Sequence, residues 1–118
     1  MKHMARLAVA SVLAACLLLV STPARAQITT GTVAGTVKDT QGGVIPGATV
    51  VLVSDARGTR STPAVTNENG DFVFPNVTAD TYTVEVTMSG FKTLKRSGVA
   101  VSAGDRASLG TLTIEVGT

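Results

Sequence analysis

Between Thr81 and Met88 the sequence alternates without a break between polar and apolar side chains. Successive side chains of a β-strand point to opposite faces of the sheet, so this pattern predicts a strand with one face in an apolar core and the other in water. A helix would instead need apolar residues three and four positions apart. No stretch after residue 26 shows a helical period. The chain is therefore predicted to fold as β-sheet.

Further strand-like segments, rich in Val and Thr, are separated by turn-forming Gly, Pro, Asn and Asp residues. The predicted strands are 32–38, 48–53, 60–66, 71–74, 81–88, 91–95, 99–101 and 109–116. Val51 and Val53 make the second strand apolar on both faces, which predicts a position inside its sheet. Pro63 cannot donate to a ladder, so the third strand is predicted to lie at an edge or to contain a bulge. About seven short strands at this spacing predict an all-β, antiparallel Greek-key β-sandwich.

The first 26 residues have a different character. A positively charged start precedes an almost wholly apolar run at residues 7–20. Ala24 and Ala26 are small residues that directly precede a predicted cleavage site before Gln27. This is the pattern of a secretory signal peptide, because the apolar run is too short for a transmembrane helix and ends in a cleavage site. The sequence predicts a cleavable helical signal peptide and export to the periplasm or the medium.

A second interpretation of the same segment stays open. Residues 13–16, LAAC, resemble the bacterial lipobox, in which the Cys is lipidated and becomes the first residue of the mature chain. The apolar run continues through residues 17–20, whereas a lipoprotein usually turns polar at that point. Lipidation at Cys16 would associate the protein with a membrane.

Removal of the first 26 residues changes the charge that matters for partners. The full chain has a formal net charge of +2, but three of its ten Lys and Arg residues precede Gln27 and all eight Asp and Glu residues follow it. The remaining domain, residues 27–118, therefore carries seven basic and eight acidic side chains. Binding to nucleic acid needs a basic surface. No nucleic-acid partner is predicted, and no transmembrane span is predicted within 27–118.

The only His and the only Cys of the chain, His3 and Cys16, also lie in the first 26 residues. Domain 27–118 therefore lacks the usual zinc ligands, the Cys nucleophile and the commonest general base. Its many Ser and Thr residues cannot form an ordinary catalytic triad without His. The sequence predicts a domain that is not an enzyme, with no catalytic residues, no cofactor and no bound metal.

One stretch, TNENGDFVFPNV at residues 66–77, invites comparison with a calcium loop, because oxygen-bearing side chains surround Gly70. With Gly70 at position 6 of an EF-hand loop, Val65 and Asn76 would occupy positions 1 and 12, where that loop needs carboxylates. Asn69-Gly70 is instead predicted to form a tight hairpin turn, since both residue types tolerate a positive φ.

An ordered set of short motifs resembles the carboxypeptidase regulatory-like domain. The motifs are GTV at 35–37, GGVIPGATV at 42–50, Thr66, NGDFVF at 69–74, YTV at 82–84 and GF at 90–91. One departure is the turn before Tyr82, which carries Ala79-Asp80 where the family usually has Gly. The resemblance implies a transthyretin-like β-sandwich without catalytic residues.

The resemblance also implies a setting. Similar bacterial domains follow a signal peptide at the N-terminus of TonB-dependent outer-membrane receptors, and others belong to exported surface proteins. The wider fold is grouped with carbohydrate-binding modules. Since the sequence ends at Thr118, soon after the last predicted strand, we expect the separated N-terminal extension of such a receptor, without its plug and barrel.

From these observations we expect an accessory module of the cell envelope that binds a protein partner. The candidate interaction patch consists of Val51, Val53, Phe91, Lys92, Lys95 and Arg96. Val51 and Val53 belong to it if their face of the sheet is exposed. Two alternatives remain: a carbohydrate-binding module that uses Phe91 with loop Asp and Asn residues, and a calcium-stabilised adhesion domain.

The two interpretations of the N-terminus differ in the mass of the mature protein. We expect the exported chain to begin at Gln27 without modification, and intact-mass spectrometry of the cell fractions measures this directly. A Cys16→Ser variant is the matched control and should be processed identically. A mature chain that begins at Cys16 with added acyl mass would contradict the expectation and would place the protein in the membrane fraction.

Overall fold

The structure is a computed structural model that describes Pro23 and residues 29–117. Apart from Pro23, the predicted signal peptide lies outside the described residues. The described part of the chain contains seven strands and no helix. They are β1 (Thr30–Asp39), β2 (Thr49–Ser54), β3 (Ala64–Val65), β4 (Asp71–Thr78), β5 (Asp80–Thr87), β6 (Leu94–Val101) and β7 (Arg106–Ile114).

The strands form two sheets, one of three strands in the order β4-β1-β7 and one of four in the order β3-β2-β5-β6. Neighbouring strands pair antiparallel, except that β7 runs parallel to β1. The chain crosses from one sheet to the other after β1, β3, β4 and β6. The predicted all-β sandwich of about seven strands is confirmed, with one parallel pair that local patterns do not reveal.

A single apolar layer between the sheets forms the core. Strand β5 shows how the sequence produces it: Tyr82, Val84 and Val86 are buried, whereas the alternate residues Glu85 and Thr87 point away from the core. The Tyr82 hydroxyl donates a hydrogen bond to the carbonyl oxygen of Thr78 at 2.6 Å. The predicted core position of Tyr82 is confirmed, and its polar end has a partner despite the burial.

The strand boundaries differ from the prediction where glycines allow bulges. Segments 91–95 and 99–101 are predicted to be separate strands, but residues 94–95 of the first and all of the second belong to the continuous strand β6. The pairing register of β6 with β5 shifts near Gly98, which has a φ of 73°. A glycine at positive φ accommodates the extra residue of a bulge without ending the strand. Phe91 lies before β6, where its N–H donates to the Met88 carbonyl at 3.0 Å and where it forms an isolated bridge with Val116.

Strand β3 is short because the segment before it is irregular. Only Ala64 and Val65 form a continuous pairing with β2, apart from an isolated bridge between Arg60 and Val53, and β3 lies at the edge of the four-stranded sheet, as Pro63 predicts. The next residue, Thr66, is buried. Its hydroxyl donates to the Ile45 carbonyl at 2.6 Å and accepts from the Ala48 N–H at 2.9 Å. This one side chain therefore fixes the loop that leads into β2.

The turn at Gly70 forms, but it is not a hairpin between paired strands. The Gly70 N–H donates to the Asn67 carbonyl at 2.9 Å, and Gly70 has a φ of 76°. Asn69 does not share the positive φ, so the expectation for the pair was right for one residue only. The strands on either side, β3 and β4, belong to different sheets. The turn therefore carries the chain across the sandwich.

Gly70 is constrained twice, and this generates a prediction. A Cβ at Gly70 would lie 2.6 Å from the Val37 carbonyl oxygen, in addition to the cost of a positive φ. Gly90 has a similar φ of 84° but nothing within 4 Å of its Cβ position. We expect Gly90→Ala to lower the free energy of unfolding by about 1–2 kcal/mol, the cost of the left-handed conformation, and Gly70→Ala to lower it by clearly more. Urea denaturation measures both. Equal losses would show that the contact with Val37 is relieved without cost.

Candidate binding surfaces

The outer face of the four-stranded sheet carries a network of three charged side chains. Glu85 on β5 lies opposite Val51 of β2 on one side and Lys95 of β6 on the other. Its two carboxylate oxygens are engaged separately, one by the Arg60 guanidinium and the other by Lys95 Nζ at 3.7 Å. The Glu85 side chain is only 16% exposed. This face is therefore occupied by its own ion pairs.

The same network covers the apolar residues proposed for the interaction patch. The backbone of Arg60 pairs with Val53 through an isolated bridge, on the edge of β2 opposite to β5. Its guanidinium nevertheless reaches Glu85 on β5. The side chain therefore spans β2 on the face that carries Val51, which is only 9% exposed. Val53 is half-buried. Val51 and Val53 belong to the interaction patch only if they are exposed, and Val51 is buried.

The other four residues of the patch lie in different places. Phe91 is half-buried and packs against the core, and the neighbouring Lys92 forms an exposed ion pair with Glu115 at 3.8 Å. Lys95 belongs to the Glu85 network. Arg96 pairs with the buried Val84, so it starts on the core side of the edge strand β6, but its side chain is exposed. Val51 is buried, and Lys95 and Arg96 therefore leave β6 on opposite faces.

Each of the four edge strands is interrupted. Strand β3 has two residues and follows Pro63, and the pairing registers of β6 and β7 shift near Gly98 and Gly110, both at positive φ. Strand β4 contains Pro75 and then Asn76, which has a φ of 57°. Prolines and bulges at edges prevent the addition of a foreign strand. Recognition through side chains is therefore favoured over recognition through strand addition.

A cleft of roughly 450 Å³ opens where the edge strands β3 and β4 face each other across the sandwich. Its floor consists of core side chains: Leu52, Phe74, Val77 and Tyr82. Its exposed rim is mainly polar and includes Arg57, Thr59, Thr62, Asn76 and Thr78. An apolar floor with a few polar groups around it is the usual composition of a small-ligand site.

The buried Ser54 holds one side of this cleft in place. Its hydroxyl donates to Asp80 Oδ2 at 2.6 Å and accepts from the backbone N–H of Arg57 at 3.2 Å. These bonds connect the turn after β2 to the start of β5. The hydrogen bond from Ser54, with further help from the Thr81 N–H and from Arg57, lowers the pKa of Asp80 below its ordinary value. Asp80 is thus a structural acceptor in this turn.

Other loop carboxylates also accept hydrogen bonds within turns. Asp39 accepts from the N–H groups of Gln41 and Gly43, and Asp55 accepts from the Thr83 hydroxyl. Within residues 29–117 no group of three His, Cys, Asp or Glu side chains is placed to hold a metal ion.

None of the described segments is a helix of the length and apolarity needed to cross a membrane.

Comparison with known families decides the classification. The model of the carboxypeptidase regulatory-like domain matches residues 32–115, which include all of the sandwich except the first residues of β1. The chain belongs to the carboxypeptidase regulatory-like domain family. The predicted resemblance is confirmed. No curated protein matches the chain in sequence.

Solved structures with the same fold serve several purposes. This chain is 27% identical to a chain of the type II cohesin–X-dockerin complex of Acetivibrio cellulolyticus. The TM-score is 0.56, and the match covers 74% of this chain and 58% of that one. It is 14% identical to the 3-chlorocatechol 1,2-dioxygenase of Rhodococcus opacus, with a TM-score of 0.54 over 75% of this chain and 60% of that one. It is 16% identical to a candidate carbohydrate-binding protein of Bacteroides uniformis, with a TM-score of 0.50 over 74% and 40%. The chain thus spans little more than half, or less, of these proteins, and the shared fold does not determine function.

The cleft of the carboxypeptidase regulatory-like domain was missed from the sequence. Alternation places Tyr82 in the core, and no pattern connects it or Leu52 with Arg57 on a turn or with Asn76 beyond a proline. The available signal was Pro63, which predicts an irregular edge, because an edge that does not pair can leave the core accessible. The sequence pattern favours instead the sheet face that carries Val51 and Val53.

The Glu85 network gives a prediction for pH dependence. The hydrogen bond from Arg60 lowers the pKa of Glu85 below its ordinary 4.5, with further help from the charges of Arg60 and Lys95. A lowered pKa in the folded state stabilises the protein above pH 4.5, and this contribution is lost as the pH falls through the folded-state pKa. We expect Glu85→Gln to reduce the free energy of unfolding at pH 7 and to flatten its decline below pH 4.5, as measured by urea denaturation from pH 7 to pH 3.

Asp80 also has a lowered pKa, so the Glu85→Gln variant should keep part of the decline. The matched control is Glu115→Gln, which removes the exposed pair with Lys92 and should change stability little. An unchanged pH profile in Glu85→Gln would show that the network does not contribute to stability.

Proposed function

We propose that this carboxypeptidase regulatory-like domain is a non-catalytic module, exported to the bacterial cell envelope, that binds another protein. The observation that carries the proposal is the family match over residues 32–115 together with the 27% identity to a chain of a cohesin–X-dockerin complex. That structure is a protein–protein assembly, so a chain that carries this fold takes part in protein binding in at least one setting. The signal-peptide pattern before Gln27 supports export.

The mode of contact follows from the edges and faces of the sandwich. Interrupted edges disfavour strand addition, and the four-stranded sheet is covered by the Glu85 network. The three-stranded sheet differs, because Val73 is exposed on the outer face of its edge strand β4. Val44 is also exposed and bridges Lys38 on the next strand, β1. Side-chain contact with a partner is therefore the mode that fits the proposal.

Site-specific photo-crosslinking in exporting cells tests the protein partner. A photoreactive amino acid is placed at Val73 on the three-stranded face, at Thr87 on the four-stranded face or at Val116 beyond β7, all exposed. We expect one position to give an adduct of discrete mass in the envelope fraction, while the other two serve as matched controls. Absence of adducts from all three positions would contradict a stable protein contact.

The receptor setting implied by the family is tested by size. Immunoblotting of the outer-membrane fraction would show a much larger species if the domain is the front of a TonB-dependent receptor, and a species of domain size if it acts alone. This outcome changes the setting of the module and leaves the protein-contact proposal in place.

A carbohydrate-binding function is the second candidate, favoured by the cleft. Its rim carries the hydroxyls of Thr59, Thr62 and Thr78 and the amide of Asn76, groups that hydrogen-bond to sugars. A ligand that binds only the native state stabilises it by about 2.7 kcal/mol at one hundred times Kd. For a domain of this size we expect the Tm to rise by about 11–22 degrees. An unchanged Tm across a panel of cell-wall oligosaccharides would exclude this candidate.

A further inference from the structure

The cleft between β3 and β4 has a property that neither candidate function uses, namely the charge of its lining. The residues around it include Arg57 and Arg60 but no Asp or Glu. Arg60 directs its guanidinium across β2 to Glu85 on the outer face, so its charge is neutralised elsewhere. Arg57 is therefore the cation that remains at the mouth of an apolar cleft.

Arg57 is available to a ligand. Its side chain is 55% exposed and contacts Asp80 through one long Nη2–Oδ2 approach of 3.5 Å. Asp80 does not depend on that contact, because it accepts shorter bonds from Ser54 Oγ at 2.6 Å and from the Thr81 N–H at 2.8 Å. A guanidinium has five N–H donors in a planar fork that fits a carboxylate. An incoming anion can therefore engage Arg57 without disturbing the turn.

The position of Arg57 is also fixed before any ligand arrives. Its backbone N–H is held by Ser54 Oγ at 3.2 Å, and the Gly58 N–H donates to the Ser54 carbonyl at 2.8 Å. The turn is closed by the bond from the Ser54 N–H to the Thr59 carbonyl at 2.9 Å. Because the backbone of the turn is already ordered, only the freedom of the Arg57 side chain is lost when its guanidinium binds a ligand.

From this geometry we propose that the cleft binds an amphipathic carboxylate, a small molecule whose apolar chain covers Leu52, Phe74 and Val77 and whose carboxylate pairs with Arg57. A volume of roughly 450 Å³ lies within the range of small-molecule sites, about 300–1,000 Å³. The apolar chain supplies affinity by burial, at roughly 0.8 kcal/mol for each CH₂ group removed from water. The Arg57 contact supplies the preference for an anion.

The test compares two probes with the same apolar chain and opposite charges. Decanoate and decyltrimethylammonium, each below its critical micelle concentration, are titrated into the domain of residues 27–118, and backbone amide chemical shifts are followed by NMR. We expect decanoate to bind more tightly, with the largest shifts at Arg57, Ala64, Asn76 and Val77. Acetate, which has the charge without the chain, should cause no saturable shifts.

Two variants locate the site, and one serves as a control. Arg57→Gln should weaken decanoate binding by about three- to tenfold, the range for a half-exposed charged hydrogen bond. Thr62→Phe adds volume at the exposed rim and should weaken both probes. The matched control is Arg96→Gln, which removes an exposed arginine from the far edge strand β6 and should leave binding unchanged.

Equal affinities for the two probes, an unchanged affinity in Arg57→Gln, or shifts confined to residues outside the cleft would each overturn the proposal. Saturable binding of an oligosaccharide at the same amides, without binding of decanoate, would overturn it as well and would favour the carbohydrate-binding candidate. Photo-crosslinking at Thr87 and Val116 samples surfaces outside the cleft, and at Val73, which borders the cleft, it reports protein adducts rather than a small ligand. Failure of the cleft proposal is therefore distinct from failure of the protein-contact function.

Discussion

Two sheets of unequal width share one apolar layer, and most features of the domain follow from that constraint. Three strands cannot cover four completely, so one side of the sandwich stays open where the edge strands β3 and β4 meet. The opposite side is closed by the residues after β7, where the Lys92 N–H donates to the Glu115 carbonyl at 2.7 Å and the Gly117 N–H donates to the Gly90 carbonyl. The cleft is therefore a consequence of how the core is shared, and its floor is the core itself.

Polar side chains at the margins of the layer hold the loops that the sheets do not pair. Ser54 and Thr66 are buried, and each hydroxyl both donates and accepts a hydrogen bond. Burial of an unpartnered hydroxyl would be unfavourable, but a fully bonded one fixes the loop around it. One such residue orients Arg57 at the cleft, and the other fixes the approach to β2. The binding surfaces are thus positioned by the same residues that complete the fold.

The sequence predicts those parts of the fold that depend on near neighbours. Alternation identifies β5 and the core position of Tyr82, and Pro63 identifies the irregular edge, because each effect acts within a few residues. The parallel pairing of β1 with β7 depends on strands far apart in the chain, and the bulge at Gly98 depends on the register that β6 adopts against β5. The burial of Val51 is of this second kind, since Arg60 covers it only because Glu85 lies on the next strand. The cleft escapes prediction for the same reason, as its walls come from both sheets.

The interrupted edges also determine how the domain responds to mutation. Proline, a short strand and glycine bulges block the four edges at different positions, so no single substitution can create a continuous edge along the whole sandwich. Replacement of Pro75, for example, would restore one missing N–H, but Asn76 at positive φ would still distort the same strand. Strand exchange between copies would require several changes at once. The exposed faces and the cleft can therefore vary by substitution without opening an edge of the sandwich to strand exchange.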